Sequence, residues 1–129
     1  MFLDASAIVS IVALEPGHEE LARRLDEAPR PLTSALAVFE AALAIGRDNR
    51  IGLQRARTLV ERFVQTTETE IRPIDSATGD LALDAHDRFG KGRHPARLNF
   101  GDCFAYAMAQ QHGVPLLYKG DDFALTDLA

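Results

Sequence analysis

The chain has 129 residues, enough for one domain that buries about two thirds of its unfolded surface, so its core needs no covalent cross-links. Its net charge of −5 argues against a protein that coats nucleic acid, but does not exclude a nucleic acid held locally. The single cysteine, Cys103, excludes an intrachain disulfide, and no apolar run approaches the roughly 20 residues of a membrane span. We therefore expect one soluble, cytoplasmic domain over residues 1–129.

The first half of the chain predicts one strand followed by four helices. Its apolar start lacks a basic segment and contains Asp4, so we interpret it as core and not as a signal peptide. Helical spacing then recurs in segments that end at proline or glycine. The predicted elements are a strand at 1–4 and helices at 5–14, at 18–28, from the cap Ser34 onward, and at 52–67. The residues predicted to face inward are Leu21 and Leu25 in the second helix, Leu36, Phe39 and Leu43 in the third, and Leu53, Ala56, Val60, Phe63 and Val64 in the fourth.

The second half predicts two more strands and two more helices. Residues 71–74 form a strand candidate that Pro73 confines to an edge or an end. A helix capped by Asp75 or Ser76 runs through Phe89, and the segment GKGRHPARLN then forms a loop. The last helix is predicted at 102–112, ending before Gly113, and the last strand at 114–118, before the turn KGDDF.

Strands that alternate with helices predict an α/β fold with a short parallel sheet, because parallel neighbours require a long crossover. In such sheets, ligands bind at the carboxyl ends of the strands. Asp4 and the turn KGDDF each directly follow a predicted strand. These two segments are therefore expected at one edge of the sheet.

Several acids converge on that edge, although each has an ordinary alternative explanation. Asp4 and Asp102 stand where helix caps are common, and Asp121 and Asp122 are typical turn residues. Glu40 lies within the apolar helix ALAVFEAALAI, where an unpaired carboxylate is costly unless it points to solvent. Together these acids predict one site with closely spaced negative charges.

Gathered carboxylates repel one another unless a cation compensates their charge. Mg²⁺ or Mn²⁺ fits best, because hard ions prefer oxygen ligands and are often shared between carboxylates and substrate phosphates. Such an ion can activate water for attack on a phosphodiester. Basic residues before Asp102 and before the last turn are candidates for binding a polyanion, although the loop also suits a solvated surface turn: Lys91, Arg93, His94, Arg97 and Lys119.

The sequence resembles the PIN domain family and, within it, the VapC-type toxins of bacterial toxin-antitoxin pairs. The resemblance covers the whole chain through MFLDASAIVSIVALEPG, TSALAVFEAALAI, RHPARLNFGDCFAYAMA and LLYKGDDF, of which the last two blocks are the more specific. It implies a single PIN-like α/β/α domain and an Mg²⁺-dependent or Mn²⁺-dependent endoribonuclease that inhibits translation or growth. It also implies tRNA or rRNA as substrate, a VapB-like antitoxin that covers the active site, and a homodimer.

The resemblance also assigns residues to the site. Asp4 and Asp102 match the principal metal-binding aspartates, Glu40 matches the acid on the third helix, and Ser6 matches a hydroxyl residue that accompanies the first aspartate. Either residue of the Asp121–Asp122 pair matches the fourth acid, and Asp121 is slightly favoured.

Other interpretations remain open at this stage. A receiver-like phosphoacceptor would explain Lys119, but it requires an acidic pair after the first strand, where Ala5 follows Asp4. A haloacid-dehalogenase-type phosphatase would require Asp-x-Asp there. An inactive partner-binding module is the third alternative, and apolar helices before Pro31 and at 52–67 would suit a partner surface or simply the core. Cys103 is expected to be a small buried residue and not a nucleophile.

Overall fold

The fold is built on four short parallel strands, in the sheet order β3-β2-β1-β4. The computed structural model describes residues 1–128. Its elements are β1 (Phe2–Leu3), α1 (Ala5–Val12), α2 (His18–Asp26), β2 (Leu32–Thr33), α3 (Ala35–Asn49), α4 (Leu53–Thr66), β3 (Glu70–Ile71), α5 (Ser76–Phe89), α6 (Phe100–His112) and β4 (Leu116–Leu117). Within residues 1–128, no helix is long and apolar enough to cross a bilayer.

The alternation of side chains along the strands separates two cores. Phe2 and Leu116 point to one face of the sheet, where they pack against α5 and α6. Leu3 and Leu117 point to the opposite face, where they pack against α1 to α4. This pattern follows from the twofold side-chain period of a strand. The predicted α/β/α sandwich with a short central parallel sheet is therefore confirmed.

Two strand predictions need correction. The strand β2 at Leu32–Thr33 was missed, because only two residues separate Pro31 from the helix cap Ser34. The edge strand predicted at 71–74 lies at Glu70–Ile71 instead, so Pro73 falls beyond its end, where its missing N–H group breaks no ladder bond. Strands of two residues are too short for hydrophobic alternation to reveal them.

The predicted inward face of α3 is wrong at Phe39 and Leu43, whereas Leu36 is half-buried. Phe39 is 60% exposed and Leu43 is 42% exposed, whereas the buried residues are small: Ala37, Ala41, Ala42 and Ile45. Alanine on the buried face allows the backbone of α3 to approach α1 and α4 closely, and the larger side chains are turned outward. In α4 the predicted face is buried at Ala56 and Val60, half-buried at Phe63 and Val64, and exposed at Leu53. The predicted burial of Leu21 and Leu25 in α2 is confirmed.

The last helix begins two residues earlier than predicted. Asn99 caps α6, and Asp102 is its third residue. The Asn99 Oδ1 atom accepts the Asp102 backbone N–H at 2.9 Å, and Asp102 Oδ2 accepts the Asn99 backbone N–H at 3.0 Å. This reciprocal capping box fixes the entry of α6 and the orientation of the Asp102 carboxylate together.

Candidate active site at the carboxyl edge of the sheet

Asp4 occupies the point where β1 ends and α1 begins. Its Oδ2 atom accepts hydrogen bonds from the Ser6 backbone N–H at 3.0 Å and from the Ser6 hydroxyl at 2.5 Å, so it caps the helix. The residue is nevertheless only 6% exposed. Burial raises the pKa of Asp4 above its ordinary value, and the charge of Asp122 adds to this shift, although the bonds from Ser6 oppose it. Asp4 is therefore a helix cap and also one of four acids, with Glu40, Asp102 and Asp122, that are called the acidic cluster below.

Ser6 connects the ends of two neighbouring strands. Its hydroxyl donates to Asp4 and accepts the backbone N–H of Lys119 at 3.0 Å, in the loop after β4. One serine thus holds the Asp4 carboxylate and the start of the last turn in a common arrangement. The sequence-predicted pairing of Ser6 with Asp4 is present in the structure.

Asp102 is held beside these residues at the N-terminus of α6. It is 7% exposed, and its pKa is raised to about 7, chiefly by burial. The negative charges of Asp122 and Asp4, and a hydrogen bond between protonated Asp102 and Asp122, also raise it, while the Asn99 backbone N–H lowers it. Like charges held together in a buried place produce this shift. Asp4, at the end of β1, and Asp102, at the start of α6, therefore lie near each other.

Glu40 reaches the same cluster from α3. Its pKa is raised by burial and by the negative charge of Asp4. The carboxylate also lies directly against Gly101, so closely that a β-carbon at that position would overlap both Glu40 oxygens. A residue without a side chain at Gly101 is therefore what allows Glu40 to approach the first turn of α6.

We expect Gly101→Ala to reduce activity without destabilising the fold. The new methyl group would displace only the flexible end of Glu40, and alanine favours a helix over glycine by about 0.5–1 kcal/mol. A displaced reacting group can lower activity by about 100-fold. Rates and thermal unfolding of the variant check both effects.

The control for this prediction is the same change in a Glu40→Ala background. If Gly101→Ala acts through Glu40, it should have little additional effect there. Equal losses in both backgrounds would show that Gly101 matters for another reason.

The turn after β4 brings a further acid towards Asp4 and Asp102. Asp121 and Asp122 are both exposed, and it is the charge of Asp122 that raises the pKa values of Asp4 and Asp102. The structure therefore favours Asp122, whereas the sequence slightly favours Asp121. The turn is anchored by fully buried Phe123 and, further on, by Asp127, which accepts a hydrogen bond from the Tyr106 hydroxyl.

The acidic cluster lacks a compensating basic side chain. Among residues 1–128, no ion pair involves Asp4, Glu40, Asp102 or Asp122. Over the same residues, no three acidic, histidine or cysteine side chains already surround one point as metal ligands would. A donor set made only of carboxylate oxygens suits a hard, hydrated divalent ion, which one or two carboxylates can hold with water completing its shell. The donor chemistry of the cluster therefore suits a hard divalent cation.

Two clefts flank the cluster and meet at Asn99. One, of about 710 Å³, is lined by Ser6, Glu40 and Lys119, and also by Arg47. The other, of about 640 Å³, is lined by residues that include Lys91, Arg97, Asp102, Asp121 and Asp122. Together the two clefts form a surface, largely apolar in the first cleft and more polar in the second, on which a chain of phosphates could cross the acids.

The predicted basic residues differ in their availability. Lys91 and Arg97 face the cleft that contains Asp102. Arg93 instead donates to Asp87 at 3.0 Å and lines neither cleft, and the Lys119 ammonium group donates to Glu15 at 3.1 Å. Lys91 and Arg97 are therefore the best placed for a polyanion.

The basic loop is held in one shape by its own contacts. His94 Nδ1 accepts the Ala96 backbone N–H at 3.0 Å, and the His94 ring packs edge-on against Phe89 at 5.1 Å. The backbone of Leu98 bonds to Lys91 and Phe89 at the base of the loop. His94 thus belongs to the structure of the loop.

Sequence reasoning missed three residues of this site. Asn99 was detectable, because Asn three residues before Asp is a capping-box pattern. The contact of Gly101 with Glu40 and the position of Arg47 at the first cleft join segments distant in sequence, and no local pattern indicates them. Cys103 is buried as expected, and burial raises the pKa of its thiol, which keeps it neutral.

Acids at the carboxyl edge of a parallel sheet, between two layers of helices, are the arrangement of a PIN domain. A PIN domain sequence profile matches residues 1–128, and the chain belongs to the PIN domain family. The fold agrees with the crystal structure of Mycobacterium tuberculosis VapC20, described as a sarcin-ricin loop cleaving toxin. The two share a TM-score of 0.77 and 19% identity, over 99% of this chain and 95% of that chain.

Within this family the chain groups with the VapC ribonucleases. A VapC ribonuclease of Rhizobium meliloti (strain 1021) is 47% identical over an alignment 139 positions long, covering 98% of both proteins. A ribonuclease VapC of Mycolicibacterium smegmatis is 39% identical, covering 100% of this chain and 98% of that protein. Ribonuclease VapC42 of Mycobacterium tuberculosis is 38% identical, covering 99% and 96%.

Proposed function

We propose that this chain is a divalent-metal-dependent endoribonuclease and the toxin of a VapBC-type pair. The observation that carries the proposal is the acidic cluster of Asp4, Glu40, Asp102 and Asp122, which has no basic partner within residues 1–128. Full-length similarity to proteins named VapC ribonuclease supports the same conclusion. Hydrolysis of RNA phosphodiester bonds would inhibit translation or growth.

In this proposal each acid has a distinct role. Asp4 and Asp102 are the principal metal ligands, Glu40 assists them from α3, and Asp122 takes the place of the fourth acid. Bound Mg²⁺ or Mn²⁺ would supply an activated water and neutralise charge that develops on the phosphate. Ser6 orients Asp4 through its short hydrogen bond, and Asn99 orients Asp102.

The two clefts supply the binding surface for RNA. Lys91 and Arg97 stand beside Asp102 and can neutralise phosphates on that side. Lys119 and Arg47 lie along the other cleft, where the pairing of Lys119 with Glu15 lowers its availability. Arg93 contributes through the general positive charge of the loop. We propose tRNA or rRNA as the substrate class.

The decisive experiment is cleavage of total tRNA and rRNA by the purified protein with Mg²⁺ or Mn²⁺. EDTA and the variant Asp102→Asn serve as controls. We expect discrete fragments that are absent from both controls. Fragments that persist in the variant, or the absence of any cleavage, would contradict the proposal.

Asp122→Asn should impair cleavage far more than Asp121→Asn. The charge of Asp122 acts on both Asp4 and Asp102, so its loss should lower kcat/KM by about 10- to 100-fold, as loss of supporting groups does at metal sites. Asp121→Asn, an exposed turn substitution of the same chemistry, should change it by about twofold at most. The reverse order in measured kcat/KM would restore Asp121 as the fourth acid.

The structure does not favour a receiver-like phosphoacceptor. The acid Asp75 follows β3, which is an edge strand and not a central one, and its carboxylate caps α5 by accepting from Thr78. Lys119 is bound to Glu15 and does not face Asp75. Incubation with acetyl phosphate should therefore leave the protein unphosphorylated. An inactive binding module would instead show tight antitoxin binding with an unaltered RNA pool.

We further propose a VapB-like antitoxin and a second copy of the chain as partners. An apolar patch between α3 and α4 suits an interface, because Phe39, Leu43, Leu53 and Ile71 are exposed around a groove of about 380 Å³. The apolar residues of α2, by contrast, belong to the core. Sedimentation equilibrium over micromolar concentrations should show a dimer, and a monomeric mass throughout would contradict this assignment.

A further inference from the structure

An apolar groove adjoins the acidic cluster on the side of α5 and α6. Its volume is about 460 Å³, within the range of small-ligand sites, and Leu83, Leu98 and Phe104 form its walls. Phe100 stands at the groove with 70% of its surface exposed and packs edge-on against Phe104 at 5.3 Å. This exposed aromatic ring lies only two residues before Asp102.

The groove is continuous with the proposed active site. Asn99 lines the groove and both clefts, and Lys91 lines the groove and the cleft that contains Asp102. Asn99 uses its Oδ1 atom to hold Asp102, and its Nδ2 amide donates to none of residues 1–128. Lys91 and Asn99 therefore mark the border between an almost wholly apolar groove and the cleft that contains Asp102.

We propose that this groove binds an unpaired nucleobase beside the phosphodiester held at the acidic cluster. The inference rests on the proposed endoribonuclease function and specifies its substrate. A base offers a flat apolar face to Phe100 and polar edges to Asn99, while Lys91 suits the attached phosphate. Bases in a duplex are stacked and paired, so the groove selects single-stranded segments and loops.

The charge and position of the groove favour RNA over a second copy of the chain as its occupant. Lys91 is exposed and forms no ion pair with residues 1–128. Burying an unpaired ammonium group against protein is costly, whereas a phosphate next to a stacked base would compensate it. The cation at the apolar patch between α3 and α4, Arg57, is already paired with Glu61 at 3.0 Å, so that patch is better suited to protein.

The test measures binding of a short, fluorescently labelled single-stranded oligouridine in EDTA. We expect Phe100→Ala to weaken binding by about tenfold, within the range of base–aromatic stacking, and Phe100→Tyr to stay within about twofold of the wild type. Leu14→Ala is the matched control, because Leu14 is 69% exposed and lines neither the groove nor the clefts. Equal affinity of the wild type and Phe100→Ala would overturn the inference.

Oligouridines with one abasic residue, placed at each position in turn, identify the base that is bound. At one position the missing base should weaken binding to the wild type and have no further effect on Phe100→Ala, because both changes remove the same contact. Additive losses at every position would contradict a stacked base at Phe100.

Two further outcomes distinguish a nucleobase site from a dimer interface at the groove, and from a failure of the nuclease proposal. If Phe100→Ala dissociates a dimer in sedimentation runs and leaves oligouridine binding unchanged, the groove is an interface between copies and the inference is overturned. Because binding is measured without metal, failure of the nuclease proposal would appear separately, as the absence of metal-dependent cleavage with the Phe100 dependence retained.

Discussion

Asp102→Asn should abolish RNA cleavage and, at the same time, stabilise the metal-free protein. Asparagine keeps the oxygen that accepts the Asn99 backbone N–H and offers Asp122 an amide donor, so the capping box should persist. It removes a negative charge from a principal metal ligand. Loss of about 4 kcal/mol of transition-state stabilisation corresponds to about a thousandfold loss in kcat.

The stability gain has a defined pH dependence. The folded-state pKa of Asp102 is about 7, against an ordinary value of 3.8. Ionisation in the unfolded chain therefore lowers the stability of the wild type progressively between these values, and the loss is complete above pH 7. The variant cannot ionise at this position and does not lose stability in this way. Its free energy of unfolding should therefore equal that of the wild type below about pH 4 and exceed it by about 1–4 kcal/mol above pH 7.

Chemical unfolding in EDTA at pH 4, 6 and 8 measures this advantage. The matched control is Asp80→Asn, which changes an exposed acid on α5 and should leave the free energy of unfolding within about 0.5 kcal/mol of the wild type. A destabilised Asp102→Asn protein at pH 8 would show that the carboxylate charge supports the fold, contrary to the proposed strain among the acids.

Metal affinity should rise steeply with pH and level off above about pH 7. The metal binds ionised carboxylates, so protons compete with it wherever Asp102 is protonated. With a pKa of about 7, only about 3% of Asp102 is ionised at pH 5.5, which predicts about 30-fold weaker Mn²⁺ binding than at pH 8. Calorimetric titration with Mn²⁺ at the two pH values measures the ratio.

Asp122→Asn provides an internal control on the cause of this pH dependence. The charge of Asp122 raises the pKa of Asp102, so removing it should move the midpoint of Mn²⁺ binding to lower pH, while also weakening the plateau affinity. An Mn²⁺ affinity that is equal at pH 5.5 and pH 8 would place the metal away from Asp102.

Much of the fold and site could be predicted because they depend on local patterns and one topological rule. Strands alternating with helices require a parallel sheet, and the carboxyl ends of its strands share an edge. Asp4 and the Asp121–Asp122 pair follow strands, and Asp102 was expected at a helix start, so their convergence at one edge could be predicted. The strand β2 was not, because two residues carry no periodicity.

The buried face of α3 is a second feature that local sequence patterns could not predict. Helical spacing predicts that residues such as Phe39 and Leu43 share a stripe, but it does not decide which stripe meets the core. The structure turns the alanine stripe inward, because close helix packing at α1 and α4 has room only for small side chains. The larger residues are consequently left on the surface.

The sequence by itself determined the α/β class and predicted that acids would gather at one edge of the sheet, since both follow from residue type and from the order of strands and helices. Only the tertiary structure decided that Asp122 faces Asp102, that Glu40 lies against Gly101, and that Asn99 joins three cavities. Each of these is a contact between segments far apart along the chain. Such contacts are set by the packing of helices on the sheet, which short-range spacing does not encode.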